Sequence, residues 1–444
     1  MFLAAIVCLS ACRSKQQPTT PIFTQPPALT STPAPSPTVT ASPTITQTPV
    51  PTITFPKIDR QPRPATIQDW APWAGQTLTA TLPYDPTSAN MWQVDYRTQD
   101  LSHLDLRNSL NNLLYAYFDD RTIWPPANRM PVGFDAQRVM ELGKDPGLEV
   151  RSLHARGITG KGVSIAIIDQ PLLVDHQEYK DQLRLYEEFF FAPGSADQQA
   201  ASMHAGALAS MAVGKTVGVA PEADLYFFAA DLANGQDANG NYLYDFTQVA
   251  QAIHRVLEIN QQLPPDRKIR VISMSFGWAA GFAGYDAISA AVAEARAQGV
   301  FIVSAFPAMQ QIYGANLYGM DRAPLSDPNL FVSYMRAHSC DFLNSQYSPC
   351  QPGALLVPSG SRAAASPMGK DEYAFYRIGD EGWAMPYLAG MYALAAQVDP
   401  TITPERFLAL AQQTGRTVDI STSLGAYQLG PVLDPVGLIT ALGK

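Results

Sequence analysis

Downstream of residue 157, short and almost uninterrupted apolar runs alternate with longer stretches rich in alanine and glycine. Residues 162–168, GVSIAII, are nearly continuously apolar and β-branched, the pattern of a strand covered on both faces. Residues 225–230, 269–276 and 300–305 read the same way, and between the last two the alanine-rich residues 285–299 predict a helix closed by a glycine. Strand, helix, strand repetition with buried runs predicts an α/β domain over 151–444, built on a mostly parallel central sheet flanked by helices. In such sheets functional sites lie beyond the carboxyl ends of the strands, and Asp169 follows the first run directly.

Upstream the pattern is less regular. Residues 57–150 hold three tryptophans before residue 94 and the stretch LSHLDLRNSLNNLLYAYF, whose leucines recur near helical spacing. This predicts an N-terminal extension with a helix, packed on the main domain. A separable inhibitory pro-region would end in an exposed, cleavable joint, and none stands out before Gly157.

The first residues change the picture of where the protein works. An apolar run from Met1 leads into Leu9-Ser10-Ala11-Cys12, which resembles a bacterial lipobox. Residues 1–12 then read as a lipoprotein signal, with small residues beside the cut and Cys12 carrying the lipid. An ordinary secretory peptide with an incidental cysteine is the alternative, and the run lacks a Lys/Arg-rich start. Residues 13–56 follow as a stalk: from Gln16 to Pro56 there is no charged residue, and Pro and Thr dominate. Such a composition cannot bury a core, and about 40 residues at ~3.1 Å each would reach on the order of 120 Å from a membrane. The expected location is extracytoplasmic, with the chain lipid-anchored to the bacterial cell membrane.

Charge and cysteines narrow the remaining options. A net charge of −9 gives no electrostatic reason to expect nucleic acid as partner. Past the first dozen residues no apolar stretch approaches the roughly 20 needed for a spanning helix. With Cys8 removed and Cys12 acylated, Cys340 and Cys350 remain on either side of a polar loop and are expected to form a local disulfide. Metal ligation is not expected there, because the spacing is not CxxC and His338 is the one additional ligand nearby. Asp237 to Asn241 lacks the spaced acidic ligands of a calcium loop and reads as a polar turn. No cofactor is implied, and the oligomeric state is open.

Three ordered segments carry the chemistry. GKGVSIAIIDQP places Asp169 at a strand end, MHAGALASMAVGKTVGVAPEADLYFFA contains His204, and GDEGWAMPYLAGMYALAAQVDP contains Gly382 and Pro386. Together they resemble the subtilase family of serine peptidases, over roughly residues 150–415. The resemblance implies a three-layer subtilisin-like fold with Asp169 and His204 in the catalytic positions. Aligned through Pro386, Ala389 and Gly390, the third segment puts Gly382 where the family has its nucleophilic serine. VISMSFGW resembles the family's cleft-lining strand, which implies substrate binding by Ser275, Phe276 and Gly277.

The chemistry explains why the departures matter. A serine nucleophile needs a base within hydrogen-bond reach, and the base needs a buried carboxylate to fix its tautomer. Asp169 and His204 supply those two parts, and amides of a helix expected to start near Pro386 would face the cleft. Gly382, however, has no side chain. The strand expected to end in Gly-Asn ends in Ser304-Ala305-Phe306-Pro307, without an oxyanion-stabilising side chain. Loss of such a serine removes about 10⁶-fold in kcat and loss of the oxyanion donor about 10²–10³-fold. Asp380-Glu381 adds two carboxylates at the helix N-terminus, where they cap the helix but oppose a developing oxyanion. The expectation is a pseudopeptidase binding an extended peptide or protein in its cleft. The alternative is an active endopeptidase with a substitute serine, for which Ser275 and Ser361 are the candidates.

Overall fold

The computed structural model describes residues 77–88, 90–192, 201–341, 353–379, 381–422 and 425–444. Cys12, the stretch 13–56, Cys350 and Asp380 fall outside them.

Five parallel strands form the central sheet: β1 (Ser164–Asp169), β2 (Leu183–Phe189), β3 (Asp224–Ala230), β4 (Ile269–Met274) and β5 (Phe301–Ser304). Their order is β2-β3-β1-β4-β5. Every residue of β1, β3 and β5 is buried, as their continuous apolar runs require of strands covered on both faces. One face packs on the helices Thr247–Gln262 and Tyr285–Ala297. The other packs on α1 (Met203–Val213) and α2 (Glu381–Val398). Both α1 and α2 are apolar on all sides, the signature of a helix inside the core rather than on its surface. The fold is thus the α/β architecture expected, with a parallel sheet between helical layers.

Small residues let α2 run through the centre: a Cβ on Gly390 would lie 2.6 Å from the Val219 side chain. The helix begins at Glu381, five residues before the expected start at Pro386, which instead lies inside it. Proline tolerates this position at the expense of one bond, since it has no N–H to give the carbonyl of Gly382 four residues earlier. Gly382 therefore sits in the first helical turn rather than in a preceding loop.

A second five-stranded sheet is mixed, with Leu355–Pro358 parallel to Leu317–Arg322 on one side and to Gly425–Val432 on the other. The third sheet joins the extension to the body. Its strand Phe118–Asp119 pairs antiparallel with Tyr373–Tyr376, which pairs in turn with Arg362–Ala365. The leucine-rich stretch forms one short helix, Leu110–Leu113, rather than a long one. Leu101, Leu104, Leu106 and Leu113 are buried from separate turns into a common cluster with Phe118, Phe134 and Phe375. Near-helical spacing there reflects successive turns dropping side chains into one core.

Candidate functional site

The site gathers at the carboxyl ends of β1, β4 and β5 and at the start of α1 and α2. Asp169 closes β1 and is buried, and its Oδ1 accepts a hydrogen bond from the Gln170 amide at 2.8 Å. His204 stands in the first turn of α1, and its Nδ1 lies 2.8 Å from Asp169 Oδ1. That bond fixes the tautomer with the proton on Nδ1, and turns Nε2 toward the cleft, where it has no hydrogen-bond partner among the described residues.

Local structure explains why His204 is held there. Ser202 caps α1 by accepting the amide of His204 at 3.0 Å. The Ser202 hydroxyl itself donates to Gln170 Oε1. Gln170, a departure from the family motif, thus ties the end of β1 to the cap of the histidine helix. The Trp383 ring meets the His204 ring edge-on, with centroids 5.9 Å apart. Arg97, from the extension, reaches Met203 Sδ at 2.9 Å, one residue before His204.

The position expected for the nucleophile, Gly382, packs closely against backbone. A Cβ on Gly382 would lie 2.7 Å from the carbonyl oxygen of Ser275, closer than van der Waals contact permits, and 3.5 Å from Ser275 Cβ. Glu381, 8% exposed, accepts the Phe306 amide on Oε1 at 2.6 Å, so a carboxylate holds a donor at the end of β5.

The three residues expected to bind substrate follow β4, with unequal roles. The Phe276 side chain is buried, stacks on Phe246 with centroids 6.1 Å apart, and belongs to the core under the sheet. Its carbonyl already accepts Ser304 Oγ at 2.5 Å and the Ala305 amide at 3.2 Å. A Cβ on Gly277 would lie 2.2 Å from the Phe306 carbonyl oxygen, so the two strand ends press together there. Ser275 is buried and its hydroxyl has no partner. Ser361, the other candidate nucleophile, is fully buried and donates to the Arg322 carbonyl. That bond removes it from consideration.

Other expected features resolve locally. The Asp237 carboxylate accepts the amides of Asn239 at 2.8 Å and Asn241 at 2.9 Å, forming the polar turn. Cys340 is half-buried in the turn His338–Asp341, and its expected partner Cys350 lies outside the described residues. No group of metal-ligating side chains occurs among the described residues, and no described helix is long and apolar enough to cross a membrane.

Residues 160–318 match the family model described as the subtilase family. That match covers the segments holding Asp169, His204 and Ser275 and ends before the one holding Gly382. Among solved structures, a cold adapted subtilisin-like serine proteinase aligns at 19% identity and a TM-score of 0.42, covering 60% of this chain and 87% of its own. The prenylagaramide maturation protease PagA aligns at 15% identity and a TM-score of 0.44, covering 66% of this chain and 98% of its own. No curated protein matches the chain. Residues 160–318 are therefore similar to the subtilase family, and the parallel five-stranded sheet between helical layers is the architecture that this likeness implies.

Proposed function

We propose that the protein is a pseudopeptidase, a subtilase-fold module that binds an extended peptide or protein segment in the cleft and leaves it uncut. The observation that carries this reading is the closure of the slot at Gly382 by the Ser275 carbonyl. An accidental loss of a serine would leave room for one, whereas here the backbone uses the space. The Glu381 carboxylate on the Phe306 amide supports the same reading, because a carboxylate beside the expected oxyanion position would oppose the charge that acyl transfer develops. Extended peptides bind to strand edges through main-chain hydrogen bonds, which require no nucleophile.

We further propose that Cys12 carries a lipid, that residues 13–56 act as an extracytoplasmic stalk, and that Cys340 pairs with Cys350. Under this reading the partner meets the cleft at the cell surface.

A second reading rests on Ser275. Its unpartnered hydroxyl lies beside the Gly382 slot, which makes it the serine through which an active endopeptidase would work. One experiment separates the two. The full-length protein is mixed with labelled unstructured peptides, binding is followed by anisotropy, and peptide masses are recorded over time. The pseudopeptidase reading expects saturable binding with masses unchanged. Cleavage that disappears in His204→Ala would establish the enzyme instead, and an absence of binding across the peptide set would remove the binding function.

A further inference from the structure

Where the extension meets the subtilase-like body, two arginines are buried and donate to backbone carbonyls. Arg322 is 1% exposed, and its guanidinium donates only to carbonyls: to Ala323, Pro324 and Ser326 at 3.1, 3.3 and 2.5 Å, and to Leu142 and Ser361 at 3.3 and 3.0 Å. Arg362 is 2% exposed and donates from Nη2 to the Val217 carbonyl at 2.8 Å. Its Nε and Nη1 have no hydrogen-bond partner among the described residues.

The groups around Arg362 do not supply the missing charge. Besides burial, Tyr387, Tyr334, Asp145 and Arg151 act on it electrostatically, and Arg322 is close enough to do so as well. Asp145 is engaged elsewhere, accepting from the Gly147 amide at 2.8 Å and Asn329 Nδ2 at 3.3 Å, and facing Arg151 at 3.4 Å. The two phenols are buried, and burial pushes both well above their ordinary range, Tyr334 to about 12, so neither serves as an anion. Tyr334 donates to the Pro328 carbonyl at 2.8 Å, while the Tyr387 bond to the Gly147 carbonyl is long, at 3.4 Å. An interior cation whose donors are unmet and which has no ion-pair contact among the described residues is destabilising, and buried unsatisfied groups of this kind mark the place of an ion or a water.

We infer that Arg362 is the centre of a buried binding site for a small inorganic anion of the halide class, set between the turn 144–151 and the strand Arg362–Ala365. Its unpartnered Nε and Nη1 and the weakly bonded Tyr387 hydroxyl provide donors, and Arg322 adds a second positive charge. A compact spherical anion accepts from several directions at once. A larger oxyanion would have to displace Tyr334 and Tyr387, both packed in the interior. An ion here would link the extension to the body, because the turn carrying Asp145 and Gly147 belongs to the former and Arg362 to the latter.

The test uses the full-length protein in potassium gluconate, titrated with potassium chloride at constant ionic strength while thermal unfolding is followed. The expected result is a saturable rise in Tm of a few degrees that bromide reproduces and Arg362→Met abolishes. If Arg362→Met does not fold, wild-type crystals soaked in bromide decide, with an anomalous peak in contact with Arg362 Nε or Nη1 as the expected outcome. Equal Tm values in gluconate and chloride, or density at Arg362 that carries no bromide signal and refines as water, would overturn the inference.

Discussion

At Gly382 the main chain stands where a side chain would need to be, and this turns a missing atom group into a structural commitment. Forcing a Cβ to within 2.7 Å of the Ser275 carbonyl requires backbone movement, and overpacking of this kind typically costs about 1–3 kcal/mol. Gly382→Ser is therefore expected to lower the urea midpoint and to restore no cleavage of casein, because Glu381 still holds the Phe306 amide. Robust cleavage by that variant would contradict the account of the closed slot. His176 offers a separate test of the same scale. Its Nε2 donates to the Glu372 carbonyl at 2.9 Å while Nδ1 accepts the Glu178 amide at 3.2 Å, an arrangement open only to the neutral ring. Burial is the main cause that lowers its folded pKa below the usual 6.5. Between that lowered value and 6.5 the unfolded chain binds more protons, so stability rises with pH across this window and falls on acidification. Tm measured from pH 5 to 8 should drop below about pH 6.5, and His176→Gln should flatten that drop.

The elements divide into those legible from the chain and those that are not. The central strands were readable because continuous apolar runs have few other solutions, and α1 and α2 because small residues recur in buried helices. Asp169 and His204 could be assigned to one site because each lies in an ordered motif, and the structure brings them within 2.8 Å. Gln170 with Ser202, and Glu381 with Phe306, were not legible: each pair joins residues that only the folded topology places together. The start of α2 was misplaced because proline usually marks a first turn, whereas Pro386 lies inside the helix. The extension was opaque for a different reason. Its stability comes from long-range packing, such as Trp92 against Tyr117 at 4.5 Å and Arg97 between Trp92 and Tyr376. Arg97 also bonds Asp95 at 2.5 Å, with the two side chains 9% and 1% exposed. Removing the cation takes the charged partner from a buried carboxylate, so Arg97→Met should cost about 3 kcal/mol in urea unfolding. A change below about 0.5 kcal/mol, the usual effect of a surface substitution, would show that the extension does not depend on this pair.

Taken as a whole, the molecule builds the motifs that resemble a subtilase from parts of its own core, and the proposed loss of activity lies where a residue would serve chemistry alone. Asp169 ends a core strand and His204 opens a core helix, so both are held by packing as well as by each other. Gly382 packs against the Ser275 carbonyl and Glu381 holds the Phe306 amide, the two contacts on which the proposed pseudopeptidase reading rests. The extension fits this division, since it contributes a strand to the Tyr373–Tyr376 sheet and an arginine beside the histidine helix. The measurement that bears most directly on this account is intact-mass analysis of the full-length protein after exposure to a fluorophosphonate. No adduct is expected, because no hydroxyl lies within hydrogen-bond reach of the His204 imidazole among the described residues. A single stoichiometric adduct, mapped to Ser275 and absent from His204→Ala, would contradict it.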